Sequence, residues 1–158
     1  MLFCEHALLY STRGEVPSER YEIPLGKARI AREGKDVTLV GNARMVHVAL
    51  QAAEELAKRG VQAEVIDLRT IRPLDVPAVV ASVQKTHRCL IIDEAWKTGA
   101  IGTYLAFRVQ QEAFDSLDGP VGHVGGEDVP MPYSRVLEQM AIPSVETVLK
   151  ALKEQIGI

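Results

Sequence analysis

The chain has 158 residues, 47% of them hydrophobic and 25% charged, with a formal net charge of −3, the make-up of one ordinary globular domain with room for a sizeable core. Its lysines and arginines are scattered, which argues against the basic stripe of a nucleic-acid-binding protein. Its two cysteines, Cys4 and Cys89, lie far apart with no CxxC spacing, which excludes a disulfide scaffold or zinc knuckle and suits reduced thiols in the cytoplasm.

The opening MLFCEHALLY is interrupted by Glu5 and His6, too short to span a bilayer, and carries no cleavage site. Leu2 to Tyr10 is expected to be one strand. Ser11 to Lys35, with Gly14, Pro17, Pro24, Gly26 and Gly34, is expected to be irregular. A lone strand followed by a long connection is an odd way to begin a domain. Residues 1–35 read either as an edge strand with a surface loop or as the last strand and linker of a preceding domain, and 36–158 as the domain proper.

From Val37 the pattern is regular. VTLV (Val37 to Val40) is a β-rich run closed by Gly41, and RMVHVALQAAEELAKRG follows with Met45, Val48, Ala49, Ala52 and Leu56 on one helical face. AEVIDL (Ala63 to Leu68) is a second strand, and Val76 to Thr86 a helix with Asp75 as its cap. CLIID (Cys89 to Asp93) is a third, continuously apolar strand, followed by a helix from about Gly99 to Phe114. A further strand is expected at Pro120 to Val124, then the loop EDVPMPYSRVLEQMAIPS, then a helix capped by Ser144. Apolar strands alternating with helices predict a three-layer α/β/α sandwich around a mostly parallel sheet.

Ligands and partners of such sheets gather beyond the carboxyl ends of the strands. Those ends read GNAR, DLRTIRPLD, DEAWKTG and GGEDVPMPY, rich in charge and holding the only tryptophan, Trp96. Chemistry within the chain is sparse. There is no GxGxxG, no Walker lysine and no GxSxG elbow. His47 falls on the polar helix face with Gln51 and Lys58, and Cys89 reads as an apolar strand position. Gly99 to Gly102 suits tight helix packing better than anion binding. Asp93 and Glu94 are adjacent on a strand and so point to opposite sides, which argues against a shared proton. The sequence assigns no catalytic, cofactor-binding or metal residue.

Four long stretches nonetheless resemble one family: EVPSERYEIPLGKARIAREGKDVTLV, RMVHVALQAAEELAKRG, AEVIDLRTIRPLD and EDVPMPYSRVLEQMAIPSVETVLKAL. They are similar to the C-terminal half of the beta subunit of the thiamine-diphosphate-dependent first component of 2-oxo acid dehydrogenase complexes, pyruvate dehydrogenase most of all. The resemblance implies a transketolase C-terminal domain fold. It also implies thiamine diphosphate with magnesium in the full assembly, held by polypeptide that precedes this chain and by an alpha subunit, and none bound by this chain alone. The implied partners are the alpha subunit and a second beta subunit in a two-plus-two heterotetramer. The subunit-binding domain of the lipoyl acyltransferase is a further candidate. Neither nucleic acid nor membrane is implied.

On this reading the DVPMPY loop is interface surface, with Arg72, Trp96, Asp128, Met131 and Tyr133 as its candidate residues. Asp118 and the terminal carboxylate of Ile158 are candidates for the acyltransferase contact. The sequence departs from the family where DEAWKTGAIG replaces a glutamate-glycine-tryptophan-proline string, which makes Asp93 and Lys97 unusual. Two other functions fit the residues alone: a free-standing, non-catalytic interaction module, or a small nucleotide-binding α/β protein.

Overall fold

The computed structural model describes residues 1–157. Five strands form one sheet: β1 (Arg29–Arg32), β2 (Val37–Gly41), β3 (Ala63–Asp67), β4 (Cys89–Trp96) and β5 (Gly122–Gly126). Their order is β1-β3-β2-β4-β5; β1 runs antiparallel to β3 and the other pairings are parallel. Helix α1 (Arg44–Ala57) links β2 to β3, α2 (Val76–Thr86) links β3 to β4, and α3 (Ile101–Glu112) follows β4. After β5 come α4 (Arg135–Ala141) and α5 (Val145–Ala151), the last running into a wider π turn at Leu152–Ile156.

The three layers follow from the two-residue period of the strands. Val37 and Leu39 of β2 point with Val65, Leu90 and Ile92 into a cluster built with α1 and α5. Val40, Ile66, Cys89 and Ile91 point the other way, into a cluster with α2 and α3. Helix α1 turns Met45, Val48, Ala49, Ala52 and Leu56 to the sheet, the stripe its sequence predicts, and leaves His47 and Gln51 exposed. Asp75 caps α2, its Oδ1 accepting the Ala78 N–H at 3.4 Å. Ser144 and Thr147 form a reciprocal capping box on α5.

Two expectations are corrected. Leu2 to Tyr10 forms no strand; its only regular element is one 3-10 turn at Ala7–Leu9, with Leu2, Phe3 and Leu8 exposed. Its composition favours a strand, but a strand exists only as part of a ladder, and this segment pairs with none. The connection expected to be irregular instead supplies β1, which takes the open edge of β3.

On the α2 face lies a buried polar cluster. Glu64 of β3 is wholly buried; Ser82 Oγ donates to it at 2.5 Å, and Lys85 Nζ pairs with its other oxygen. Thr38 of β2 joins through Ser82 and Thr86, each at 2.6 Å. Burial pushes the Glu64 carboxyl up, but the bonds from Lys85, Ser82 and the Gly34 N–H outweigh it and hold it below the ordinary glutamate value. That contribution to stability is present above the unfolded glutamate pKa of about 4.3 and is lost as pH falls through the lower folded value.

Lys85→Met removes the main lowering partner, so burial weighs more heavily on the carboxyl. The variant should lose about 2 kcal/mol at pH 7, less than a fully buried pair because the lysine is 44% exposed. The deficit should narrow as pH falls and Glu64 takes up a proton, which urea titrations at several pH values will show.

Candidate functional site

The carboxyl end of the sheet is shaped by a break in one ladder. Ile92 of β4 pairs with Val124 of β5, yet the next pair is Trp96 with Gly126, so β4 advances four residues while β5 advances two. The surplus bulges at Asp93 to Ala95. Asp93 and Glu94 point to opposite sides there. Asp93 Oδ2 accepts the Gly102 N–H at 2.7 Å, beneath the first turn of α3. Glu94 instead meets His6 Nε2 at 2.9 Å and the Arg44 guanidinium at 3.7 Å. Gly102 is there for packing, since a Cβ on it would lie 2.8 Å from Asp93 Oδ2.

Next to the bulge is an open cleft of about 330 Å³, walled by Glu94, Trp96, Ala100, Glu127, Met131 and Ala141 among others. The loop after β5 closes over its side. Thr98 donates its backbone N–H (3.1 Å) and hydroxyl (2.6 Å) to the Asp128 carboxylate. These bonds hold that carboxyl below the ordinary aspartate value. Lys97 Nζ reaches Glu127 at 3.2 Å, and the Glu127 N–H donates to the Ala141 carbonyl at 2.9 Å. The loop is thus fastened by its polar groups while its apolar ones stay outside. Val129, Met131 and Tyr133, with Val136, Leu137 and Met140 of α4, are all exposed.

The candidate interface residues divide accordingly. Trp96 and Met131 line the cleft, Asp128 is bonded to Thr98 of its wall, and Tyr133, two residues past Met131, is wholly exposed. Arg72 is exposed on the same sheet edge, in the loop after β3, and does not line the cleft. Asp118 sits at the opposite edge, before β5, with Arg88 Nε at 3.8 Å. Ile158 lies outside the described residues. Sequence reasoning missed α4, whose apolar positions 136, 137 and 140 have helical spacing behind a proline-rich lead. It also missed the His6–Glu94–Arg44 contacts, for which no local signal exists.

Residues 26–148 match the family described as Transketolase, C-terminal domain. The chain belongs to that family. It is 46% identical over 154 residues to the pyruvate dehydrogenase E1 component subunit beta of Rhizobium meliloti, covering 97% of this chain and 34% of that protein. A mitochondrial subunit beta-2 of the same name from Oryza sativa is 46% identical, with 97% and 42% covered. The beta subunit of an acetoin:2,6-dichlorophenolindophenol oxidoreductase from Cupriavidus necator is 44% identical, with 98% and 46% covered. The chain thus spans between a third and a half of the length of these curated relatives. Among solved structures, a split-gene transketolase described as an inactive beta4 tetramer superposes with a TM-score of 0.72 at 27% identity, covering 91% of this chain and 46% of that one.

Within this transketolase C-terminal domain the side chains at the cleft do not suit a magnesium diphosphate. The acidic groups facing it are Glu94 and Glu127, which would repel phosphate, and no three His, Cys, Asp or Glu among the described residues gather to hold a metal. Cys89 is no nucleophile, because burial pushes its thiol up to about 12. No helix among the described residues is long and apolar enough to cross a membrane. What the domain's edge does offer is contact area: an aromatic ring, flexible methionines and a proline-stiffened loop.

Proposed function

We propose that this chain is the C-terminal assembly portion of the beta subunit of a 2-oxo acid dehydrogenase first component, with pyruvate as substrate of the full enzyme. The observation that carries this reading is 40–46% identity across nearly the whole chain to proteins named as pyruvate dehydrogenase beta subunits. The residues ahead of β1 serve as the connection to a pyrimidine-binding domain. Thiamine diphosphate and magnesium are held by that domain and an alpha subunit. The relative named for acetoin keeps the substrate choice a matter for those other parts.

The exposed ridge from Val129 to Met140, with Trp96, Asp128 and Arg72, packs against neighbouring subunits in a two-plus-two heterotetramer. Prolines 130 and 132 stiffen the loop before contact, which lowers the entropy lost on association. Asp118, on the far edge, faces the subunit-binding domain of a lipoyl acyltransferase. The separated, reduced cysteines favour the cytoplasm, although several relatives are named as mitochondrial.

The test is reconstitution. The pure chain with thiamine diphosphate, magnesium and pyruvate should release no carbon dioxide. Supplying an alpha subunit and a pyrimidine domain from a relative should restore decarboxylation only when this chain is present. Turnover by the chain alone, or full turnover without it, would overturn the division of labour.

A further inference from the structure

Among the described residues one buried side-chain nitrogen has no hydrogen-bond partner: Nε2 of His123 in β5. His123 lies in register with Ile91 of β4 and shares the α3 face of the sheet with Asp93. Its Nε2 stands 4.0 Å from Asp93 Oδ2, the oxygen already bonded to the Gly102 N–H at 2.7 Å. The two side chains are only 15% and 7% exposed. A Cβ on Gly102 would approach both polar atoms to 2.8 Å, so the missing methyl is what admits them beneath the first turn of α3.

The charged groups around the ring are few. Asp93 faces it from β4 and Lys97 from the turn after β4, while the first turn of α3 brings backbone only. Glu127, Lys150, Glu154 and Gln155 line a second pocket together with Lys97 and His123, and the Gln155 amide oxygen accepts the His123 backbone N–H at 3.2 Å. Burial lowers the affinity of the imidazole for a proton, Asp93 raises it by less, and Lys97 lowers it further. The ring is therefore neutral at neutral pH.

We propose that Asp93 and His123 form an acid-sensitive latch under α3 that sets the shape of the Trp96 cleft. With the imidazole neutral and Nε2 bare, two acceptors face one another and stand apart at the observed 4.0 Å. A proton turns Nε2 into a donor aimed at Oδ2, and the pair closes to a charge-assisted bond of about 2.8 Å. Asp93 to Ala95 have no ladder pairing to β5, so this bulge can follow the carboxylate, and it leads directly into Trp96, where pairing resumes with Gly126. Acid thus pulls the bulge toward β5 and changes the backbone that leads into Trp96 at the rim of the cleft.

Trp96 is the only tryptophan of the chain, and the histidines number four, so each partner has its own signal. The whole chain is titrated from neutral to acidic pH, reading Trp96 fluorescence alongside imidazole resonances by NMR. Trp96 emission should change with a midpoint below the ordinary histidine value of about 6.5, coincident with His123. His123→Gln should abolish the change, and His6→Gln, which alters the other histidine near the cleft, should leave it. Persistence in His123→Gln, loss in His6→Gln, or a flat Trp96 signal while His123 titrates would each overturn the latch. Should His123→Gln fail to fold, Asp93→Asn decides instead: losing the carboxylate should lower the His123 midpoint further, and an unmoved midpoint counts against the proposal.

Discussion

Leu39→Ala should lower the unfolding free energy by about 4 kcal/mol, near the upper end for a buried leucine truncation. Leu39 is wholly buried in β2, the middle strand, between Val65 of β3 and Leu90 of β4 in register. The helix packed over this cluster presents Ala49, Ala52 and Ala53, side chains too short to swing into the void. A site that cannot collapse keeps its cavity, and cavity volume adds to the lost transfer energy. Against a typical total of about 5–15 kcal/mol, the variant should be marginal at 37 °C. Urea or thermal melts will show it. Ile30→Ala, on edge strand β1 and 50% exposed, is the control and should change stability by less than about 1 kcal/mol. Equal losses at the two positions would mean that the core is not organised around β2.

Leu137→Glu with Met140→Glu should leave the melting temperature unchanged and weaken association with the alpha and beta partners by about 100-fold or more. The expectation rests on the proposed assembly role. Leu137 is 52% and Met140 72% exposed, so neither replacement empties a cavity or strips the core. Two carboxylates placed in an apolar contact must be desolvated without a counter-ion, and that penalty falls on the complex alone. Analytical ultracentrifugation of the reconstituted subunits, beside a thermal melt of the free chain, separates the two effects. Assembly at undiminished affinity would move the interface elsewhere on the domain.

The regular part of the fold was legible because its elements carry period and punctuation. The stripe of α1, the span of α2, the apolar runs of β2, β3 and β4, and the caps Asp75 and Ser144 all fall where pattern reasoning puts them. What misled was the region where long-range pairing decides. Leu2 to Tyr10 has strand composition and pairs with no strand, whereas RIAR has two arginines and becomes β1 because the edge of β3 is open to it. The strand-end edge was also legible as the place to look, since doubly wound sheets gather their loops there. The contacts within it were not. Thr98 to Asp128 and His6 to Glu94 join residues 30 and 88 positions apart, and nothing local in sequence announces either.

The bulge at Asp93 to Ala95 separates two kinds of obligation along a single strand. Up to Ile92, β4 belongs to the apolar clusters on both faces, and any change there is felt by the whole molecule. From Ala95, the end of the bulge, to Gly99 the residues are exposed and belong to neither cluster. That stretch, tied to the rest through Gly126, Glu127 and Asp128, can be re-shaped together with them for a new neighbour while the scaffold behind it stays the same.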